Sequence, residues 1–304
     1  MGFASGGPAP WDNTMSFNAV HAFYAGDARP LAVILGTNEI ASAVAVALQR
    51  VLYSVVLCHD PFPPVIRRGM SFHDALFGDQ AIVDGIGGER AESMVEIARA
   101  IIKPNSVAVT PLKLTDVITM RRPGILIDAR MQKHRVTPDY RGLVRFTLGL
   151  GPNFNAGVNC DLAIETHPAG AGTIICKGLT EAADGMARKL GSAGRERFVY
   201  SPRSGLWHTP VDIGTRVFKG FVLGHLDGVP VQASIDGCLR GIARDATLIP
   251  AGVKIVEIDP RGRRAKWTGI DERGYAIANA VRDAIVMHMG RHGNVETASI
   301  PSFH

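Results

Sequence analysis

Pro30-Leu-Ala-Val-Ile-Leu35-Gly36-Thr37-Asn38-Glu39 opens the stretch whose reading decides the fold. The apolar run 31–35, closed by glycine, reads as a buried strand. Asn38 or Thr37 stands where a side chain caps a helix. Residues 40–52 are rich in alanine and valine and almost free of charge, which predicts a helix buried on most sides. Residues 54–57 form a second apolar strand running into Cys58-His59-Asp60. Strand, turn, helix and strand within about 30 residues make a βαβ unit.

Downstream, Pro61-Phe-Pro-Pro64 breaks the chain. Residues 71–77 read as a short helix with Ser71 as cap and Asp74 at its third position. A strand is expected over 80–86, an amphipathic helix over 89–102, a strand over 106–109, a helix over 114–120 and a strand over 125–127 that ends at Asp128. This alternation predicts an α/β, doubly wound, mostly parallel sheet over residues 29–150. Short strands between glycine turns follow (146–150, 162–165, 173–176), giving a β-rich linking region over 151–196.

An internal repeat comes next. Gly205 and Gly220 are 15 residues apart, Gly237 and Gly252 are also 15 apart, and the pairs are offset by 32. Two copies of several short strands each predict a small flattened barrel of interlocked halves over 197–268. Residues 271–289 read as one helix within a closing segment 269–304, with a loose tail from Gly290. Residues 1–28 read as a loose leader.

At 304 residues, and roughly 100–200 per domain, two domains fit with room for a small third unit. Hydrophobic residues at 46% and charged residues at 20% exclude a disordered chain. No apolar run reaches the roughly 18 residues of a membrane span, so no membrane partner is expected. Glycine and proline together number 52, which suits many tight turns between short strands. The net charge of +5 is scattered, without a stripe interleaved with aromatics, so no nucleic-acid partner is expected either. A small anionic ligand fits the mild positive balance. Cys58, Cys160, Cys176 and Cys238 sit among apolar neighbours, carry no paired-ligand spacing and read as buried free thiols, so no metal site is expected from them. The start lacks the basic and apolar regions of a signal peptide, which points to the cytoplasm.

The candidate chemistry lies in loops. Gly36 to Glu39 has one glycine where a dinucleotide fingerprint has three, and Glu39 puts negative charge where a pyrophosphate would sit. Gly36 and Asn38 are the candidate phosphate contacts, and Asp60, 24 residues after Gly36, is placed for a ribose hydroxyl. The alternative is a fold that kept the shape and lost the site. Arg67-Arg68 is a candidate anion clamp or a solvated basic turn. Asp128 and Arg130, just past a strand's carboxyl end, are candidate substrate contacts or a local ion pair. The loop Gly149-Leu-Gly151-Pro152-Asn153-Phe154 through Gly157 offers backbone amides as an anion cradle, or is a structural turn. Glu165 is a candidate general base; Asp161, four residues earlier on the same strand, lies roughly 13 Å away, too far for a paired-acid mechanism. His288 and His292 lack a third ligand and read as tail.

Taken in order, Ile40-Ala, Pro64-Val-Ile-Arg-Arg68-Gly-Met-Ser-Phe72 with Asp74-Ala, Ile127-Asp-Ala-Arg-Met131, Gly149-Leu-Gly-Pro152-x-Phe154-x-Ala-Gly157, Ile164-Glu-Thr166 and Asp259-Pro-Arg-Gly262 resemble the bacterial and archaeal accessory proteins of selenium-dependent molybdenum hydroxylases. The resemblance spans about residues 31–288. It implies a Rossmann-like domain, a biotinyl/lipoyl-like barrel-sandwich hybrid for the repeat, and a role in maturing such hydroxylases. The chain is a divergent member on this reading: the family's Gly-Ala-Gly-Asp is here Gly36-Thr-Asn-Glu39, its Gly-His near 167–172 is Pro168-Ala-Gly-Ala-Gly172, and its Asn-Thr-Gly-x-Pro-Gly is Ala182-Ala-Asp-Gly-Met-Ala187. Biotinyl and lipoyl domains present a lysine at the hairpin between halves; here that hairpin is Gly224-His-Leu-Asp-Gly228, so no covalent biotin or lipoate is expected.

Three functions stay open at the level of sequence. One is an accessory or maturation protein for a molybdenum-hydroxylase-type enzyme, with a metalloenzyme partner and a nucleotide-bearing ligand. Another is an enzyme of a pterin-type or one-carbon cofactor pathway. The third is a non-catalytic scaffold. The oligomeric state is open as well, a homo-oligomer included.

Overall fold

A computed structural model describes residues 29–133, 135 and 137–296, the last six by backbone alone. The expected leader 1–28, the residues from 297 onward and the His292 side chain lie outside the described residues.

The βαβ reading holds in detail. Strand β1 (Leu31–Leu35), helix α1 (Glu39–Arg50) and strand β2 (Ser54–Cys58) follow in order, and every residue of both strands is buried. Continuous Val, Ile and Leu without alternation is what a strand covered on both faces requires. The sheet they found has nine strands. The others are β3 (Ala81–Val83), β4 (Ile86–Arg90), β5 (Ser106–Thr110), β6 (Ile125–Asp128), β7 (Phe146–Leu150), β9 (Leu162–Ile164) and β10 (Ile174–Ile175); the short β8 (Asn155–Ala156) instead pairs β11 (Gly178–Leu179). The order is β10-β9-β7-β6-β1-β2-β5-β4-β3. The seven strands from β9 to β4 run parallel, and β10 and β3 are antiparallel edges. The chain builds outward from β1 through β2 to β5, then crosses back to β6, so the order reverses between β1 and β6. Open α/β sheets hold ligands outside the strands' carboxyl ends at such a reversal.

Helices α2 (Met94–Ile102) and α3 (Leu114–Met120) cover one face through Ile97, Ile101, Val117 and Met120. α1 covers the other together with α4 (Glu272–Glu296), whose Ile277, Val281 and Ile285 share a core with Ile40, Val44 and Leu48 of α1. The end of the described chain therefore returns to roof β7 and β9, and His288, expected in a frayed tail, stacks on Phe146 with ring centroids 4.0 Å apart.

Four local expectations fail: the strand expected over 80–86 is the hairpin of β3 and β4 turning at Asp84-Gly85, the loose tail expected from Gly290 is helix to Glu296, and two helices differ. The helix expected over 89–102 starts only at Met94, behind the Ser93 cap, because β4 claims the chain to Arg90 by pairing with β5. The helix expected over 71–77 is a 3-10 segment over His73–Phe77, preceded by another over Arg68–Met70, and Asp74, read as its capping partner, instead binds Arg68 at 2.6 Å.

The repeat is visible as topology. Strands β12 (Phe198–Tyr200), β13 (Gly205–His208), β14 (Arg216–Val217) and β15 (Val222–Leu226) are followed by β16 (Val229–Gln232), β17 (Gly237–Ile242), β18 (Thr247–Ile249) and β19 (Lys254–Asp259). They form two antiparallel sheets, β12-β19-β17-β14 and β16-β15-β13-β18. Exchanging each strand for its counterpart four along turns one order into the other, so the halves are interlocked, each giving two strands to each sheet. Gly220 and Gly252 occupy equivalent turns at φ 85° and 76°, the left-handed region that makes glycine the suitable residue. Trp207, Leu239, Ile242 and Ile255 fill the space between the sheets. The chain is thus an α/β protein with a mixed, mostly parallel nine-stranded sheet followed by antiparallel β-rich sheets. No helix among the described residues is long and apolar enough to cross a membrane.

Candidate functional site

At the carboxyl ends of β1 and β6, Asn38 caps α1: its Oδ1 accepts the amides of Ile40 and Ala41 at 3.0 Å each, and its Nδ2 donates to the Ala129 carbonyl at 2.7 Å. The segment after β6 lies directly on Gly36, where a Cβ would come within 3.1 Å of the Ala129 oxygen. Gly36 and Asn38 thus hold the protein's own chain over the helix start. A helix N-terminus attracts phosphate through free amides; here the cap and the roof use that position, and Glu39 fills the first turn and binds Arg67 at 3.0 Å.

Asp60, Asp128 and Arg130 do meet. Arg130 donates to both oxygens of the buried Asp128, at 3.0 and 2.5 Å, and its Nη1 lies 3.5 Å from Asp60. Gln132 donates to Asp60 at 3.0 Å, and the Tyr140 hydroxyl accepts from Arg130 at 3.3 Å. Two carboxylates share one guanidinium, so the cluster carries net negative charge. It orders the loop, Asp60 also accepting the Phe62 amide at 2.9 Å.

Several amides of the glycine loop are taken up within the protein. The Phe154 amide donates to Thr180 Oγ1 at 3.2 Å, the Asn155 amide to Asn159 Oδ1 at 2.8 Å and the Gly157 amide to the Cys160 carbonyl at 2.8 Å. Gly149 makes room for the Phe154 ring, Gly151 packs on Met131 Sδ, Pro152 is buried, and Asn153 donates to the Lys133 carbonyl at 3.1 Å. Glu165 is buried and spends its oxygens on three amides, those of Thr166 (2.6 Å), His167 (2.5 Å) and Glu181 (2.7 Å). It organises the loop after β9. Asp161 binds the amide and hydroxyl of Thr147, each at 2.7 Å.

Arg67 and Arg68 face inward, where internal carboxylates and carbonyls take their guanidinium donors. Arg67 bonds Glu257 at 2.6 and 3.2 Å as well as Glu39; Arg68 bonds Asp74 and the Ile242 carbonyl at 3.0 Å. The Ile66 carbonyl accepts the Ile242 amide at 2.8 Å, so this segment bolts the α/β layer to β17 and β19. Cys58, Cys160 and Cys238 are buried as expected, whereas Cys176 is exposed; burial pushes the Cys58 and Cys160 thiols up to about 12. Among the described residues, no cluster of three or more His, Cys, Asp or Glu side chains is arranged to hold a metal.

Two groups escaped the sequence reading. Thr37 and His73 share a buried hydrogen bond of 2.9 Å, with the His59 ring 5.4 Å away and its Nδ1 buried without a partner. Burial, then the nearby His59, Arg68 and Arg244, pushes His73 down to about 3. A lowered histidine adds stability above its unfolded pKa of about 6.5 and loses it as pH falls toward the folded value. Replacing His73 with glutamine is therefore expected to flatten the pH dependence of stability between about 6.5 and 3, by up to about 1.4 kcal/mol per pH unit. Melting curves across that range check it; an unchanged slope refutes it. The second group is Lys254, whose Nζ lies 3.8 Å from the centroid of the Phe198 ring and which burial brings down to about 8.

Fold and site together define an α/β protein with a duplicated β module, whose carboxyl-edge polar groups are largely paired with one another. No family model matches the chain. It is similar to the uncharacterized protein YqeB of Escherichia coli K12, 28% identical over 260 residues, which covers 85% of this chain and 48% of YqeB. The chain thus spans about half the length of that curated relative. Among solved structures, an aspartoacylase family protein from Mesorhizobium loti aligns over 77% of this chain and 87% of its own at 12% identity and a TM-score of 0.27. The ectoine utilization protein EutE (DoeB) of Ruegeria pomeroyi aligns over 77% and 86% at 13% identity and a TM-score of 0.24. Similarities of this size carry no argument about function.

Proposed function

We propose that the chain is an accessory or maturation protein for a molybdenum-hydroxylase-type enzyme, holding rather than transforming a nucleotide-bearing or pterin-type anionic cofactor. The ordered motifs from Ile40 to Gly262 support the family, and the similarity to YqeB over 260 residues adds no activity. On this reading the sheet is Rossmann-like, with strands β5-β2-β1-β6-β7-β9 in the doubly wound order. The β module is a barrel-sandwich hybrid whose halves join at Asp227-Gly228, where no lysine stands to carry biotin or lipoate.

One observation carries the preference for holding. Asp128 gives both oxygens to Arg130, and Glu165 gives both to backbone amides. A general base needs a lone pair within reach of substrate, and these carboxylates spend theirs on the fold. The test is deletion of the gene in its host, followed by assay of the hydroxylase and of its pterin cofactor content. Loss of activity with undiminished hydroxylase polypeptide is expected; full activity with full cofactor content overturns the reading. A second reading, an enzyme of a pterin-type or one-carbon cofactor pathway, draws on one observation, the meeting of Asp60, Asp128 and Arg130 beside the altered phosphate loop.

A further inference from the structure

Residues 180–197 carry the chain from the parallel sheet into the β module, and one buried side chain frames this segment. Arg197 donates through Nη1 to the carbonyls of Arg188 at 2.5 Å and Gly194 at 2.9 Å, while its Nε bonds Glu257 at 3.2 Å. Leu190 and Ala193 exchange backbone bonds of 2.8 and 3.3 Å, which close the turn between those two carbonyls. The carbonyls are thus drawn inward to one guanidinium, and exposed cations surround them.

Between the run 185–189 and Arg195 lies an open cavity of about 450 Å³. Small-molecule sites typically measure roughly 300–1,000 Å³. Three cations line it, Arg188, Lys189 and Arg195, and no carboxylate does. Arg188 is answered by Asp184 at 3.0 Å and meets the His167 ring nitrogen at 2.7 Å. Lys189 and Arg195 make no ion pair among the described residues. The Arg195 guanidinium stands 4.5 Å from the centroid of the Tyr200 ring, which holds it in place and leaves its charge unspent. Glu196, next to it in sequence, gives an oxygen to the Gly194 amide at 2.8 Å. The amides of Ala187, Arg188 and Lys189 make no backbone hydrogen bond. Met186, 66% exposed, adds an apolar patch to the same wall. Unspent cations beside open amides suit anionic oxygens, and a thioether suits the face or edge of a flat ring.

We propose that this cavity holds the phosphate ester of a flat heterocycle, a nucleotide or a phosphorylated pterin, with the phosphate on Lys189 and Arg195 and the ring on Met186. The inference rests on the maturation reading above and gives its anionic cofactor a place. Arg67 and Arg68 are turned inward, and Asn38 and Glu39 occupy the start of α1, whereas Lys189 and Arg195 are exposed and uncommitted.

Isothermal titration of the full chain tests it. Guanosine 5′-diphosphate and 6-hydroxymethylpterin diphosphate are the two ring sources, with guanosine and inorganic pyrophosphate as controls. One of the esters should bind roughly tenfold or more tighter than either control, as two charge-assisted contacts plus a ring contact require, and which one binds names the ring. That binding should weaken as salt is raised. K189Q together with R195Q should lower the affinity roughly tenfold or more without lowering Tm, since both side chains are exposed. M186A should weaken the ester and leave pyrophosphate unchanged. Esters no tighter than the controls, or a double variant that binds as the parent does, overturns the proposal. Binding is read on the purified chain and maturation on the hydroxylase in cells. A chain that hydroxylase activity requires but that binds neither ester sinks the site alone; a chain that binds an ester while its deletion leaves the hydroxylase intact sinks the maturation reading alone.

Discussion

Glu257→Gln should cost roughly 3–5 kcal/mol, a fall in Tm on the order of 10 °C. Glu257 is 0% exposed, and its carboxylate holds Arg67 at 2.6 Å and Arg197 at 3.2 Å, with Arg240 3.8 Å away. Removing the negative charge leaves several guanidiniums facing one another in a poorly solvated interface, and an uncompensated buried charge costs more than a buried pair contributes. Arg67 also reaches Glu39 at the start of α1, so the loss loosens the joint between the parallel sheet and the β module. Burial by itself would raise the Glu257 carboxyl, but Arg67, by charge and by hydrogen bond, with Arg240 and Arg197, holds it below the usual range. A lowered carboxylate adds stability above its unfolded pKa of about 4.3 and loses it as pH falls through the folded value. The variant should therefore lose much of its stability at pH 7 and show a shallower acid limb below about pH 4.3. Adding Arg67→Met should recover part of the loss by removing one orphaned charge. A single variant melting within 3 °C of the parent at pH 7 would sink the account.

Much of the fold was legible because it rests on local patterning. Residues 31–35 and 54–57 read as buried strands from unbroken apolar runs, and 114–120 read as the helix that forms. The 15-residue glycine pairs announced the duplicated module, since two of the four sit in equivalent left-handed turns. The site was less legible, because its contacts are distant in sequence. Arg67 and Glu257 are 190 residues apart, and neither neighbourhood announces the other. Val256, Glu257, Ile258 and Asp259 alternate as a half-solvated strand would, yet the polar side lies against the α/β layer. His73 and Lys254 are perturbed by groups that only folding brings near. The glycine run invited a cradle reading because glycine serves both for free amides and for close packing. Gly149 serves the second purpose.

Gly149→Ala therefore tests the loop at its root. A Cβ at Gly149 would fall 2.0 Å from Phe154 Cδ1 and 2.2 Å from its Cγ, closer than carbon atoms tolerate. The backbone cannot give way, because Gly149 lies in β7, paired to Asp128 on one side and Ala163 on the other. The ring has to leave its core with Ala156, Cys160 and Ala163, while Thr180 holds the Phe154 amide and carbonyl in place. Overpacking of this kind costs roughly 1–3 kcal/mol. Displacing Phe154 also shifts Asn153, which holds the Lys133 carbonyl, so the segment after β6 should loosen along with the loop. Phe154→Ala supplies the cross-check. Alone it should cost roughly 3–5 kcal/mol; on the Gly149→Ala background it should cost less, since the deletion removes the colliding ring. Contacting residues show such coupling and independent ones add. If Phe154→Ala costs the same in both backgrounds, the clash is not what makes glycine necessary at 149.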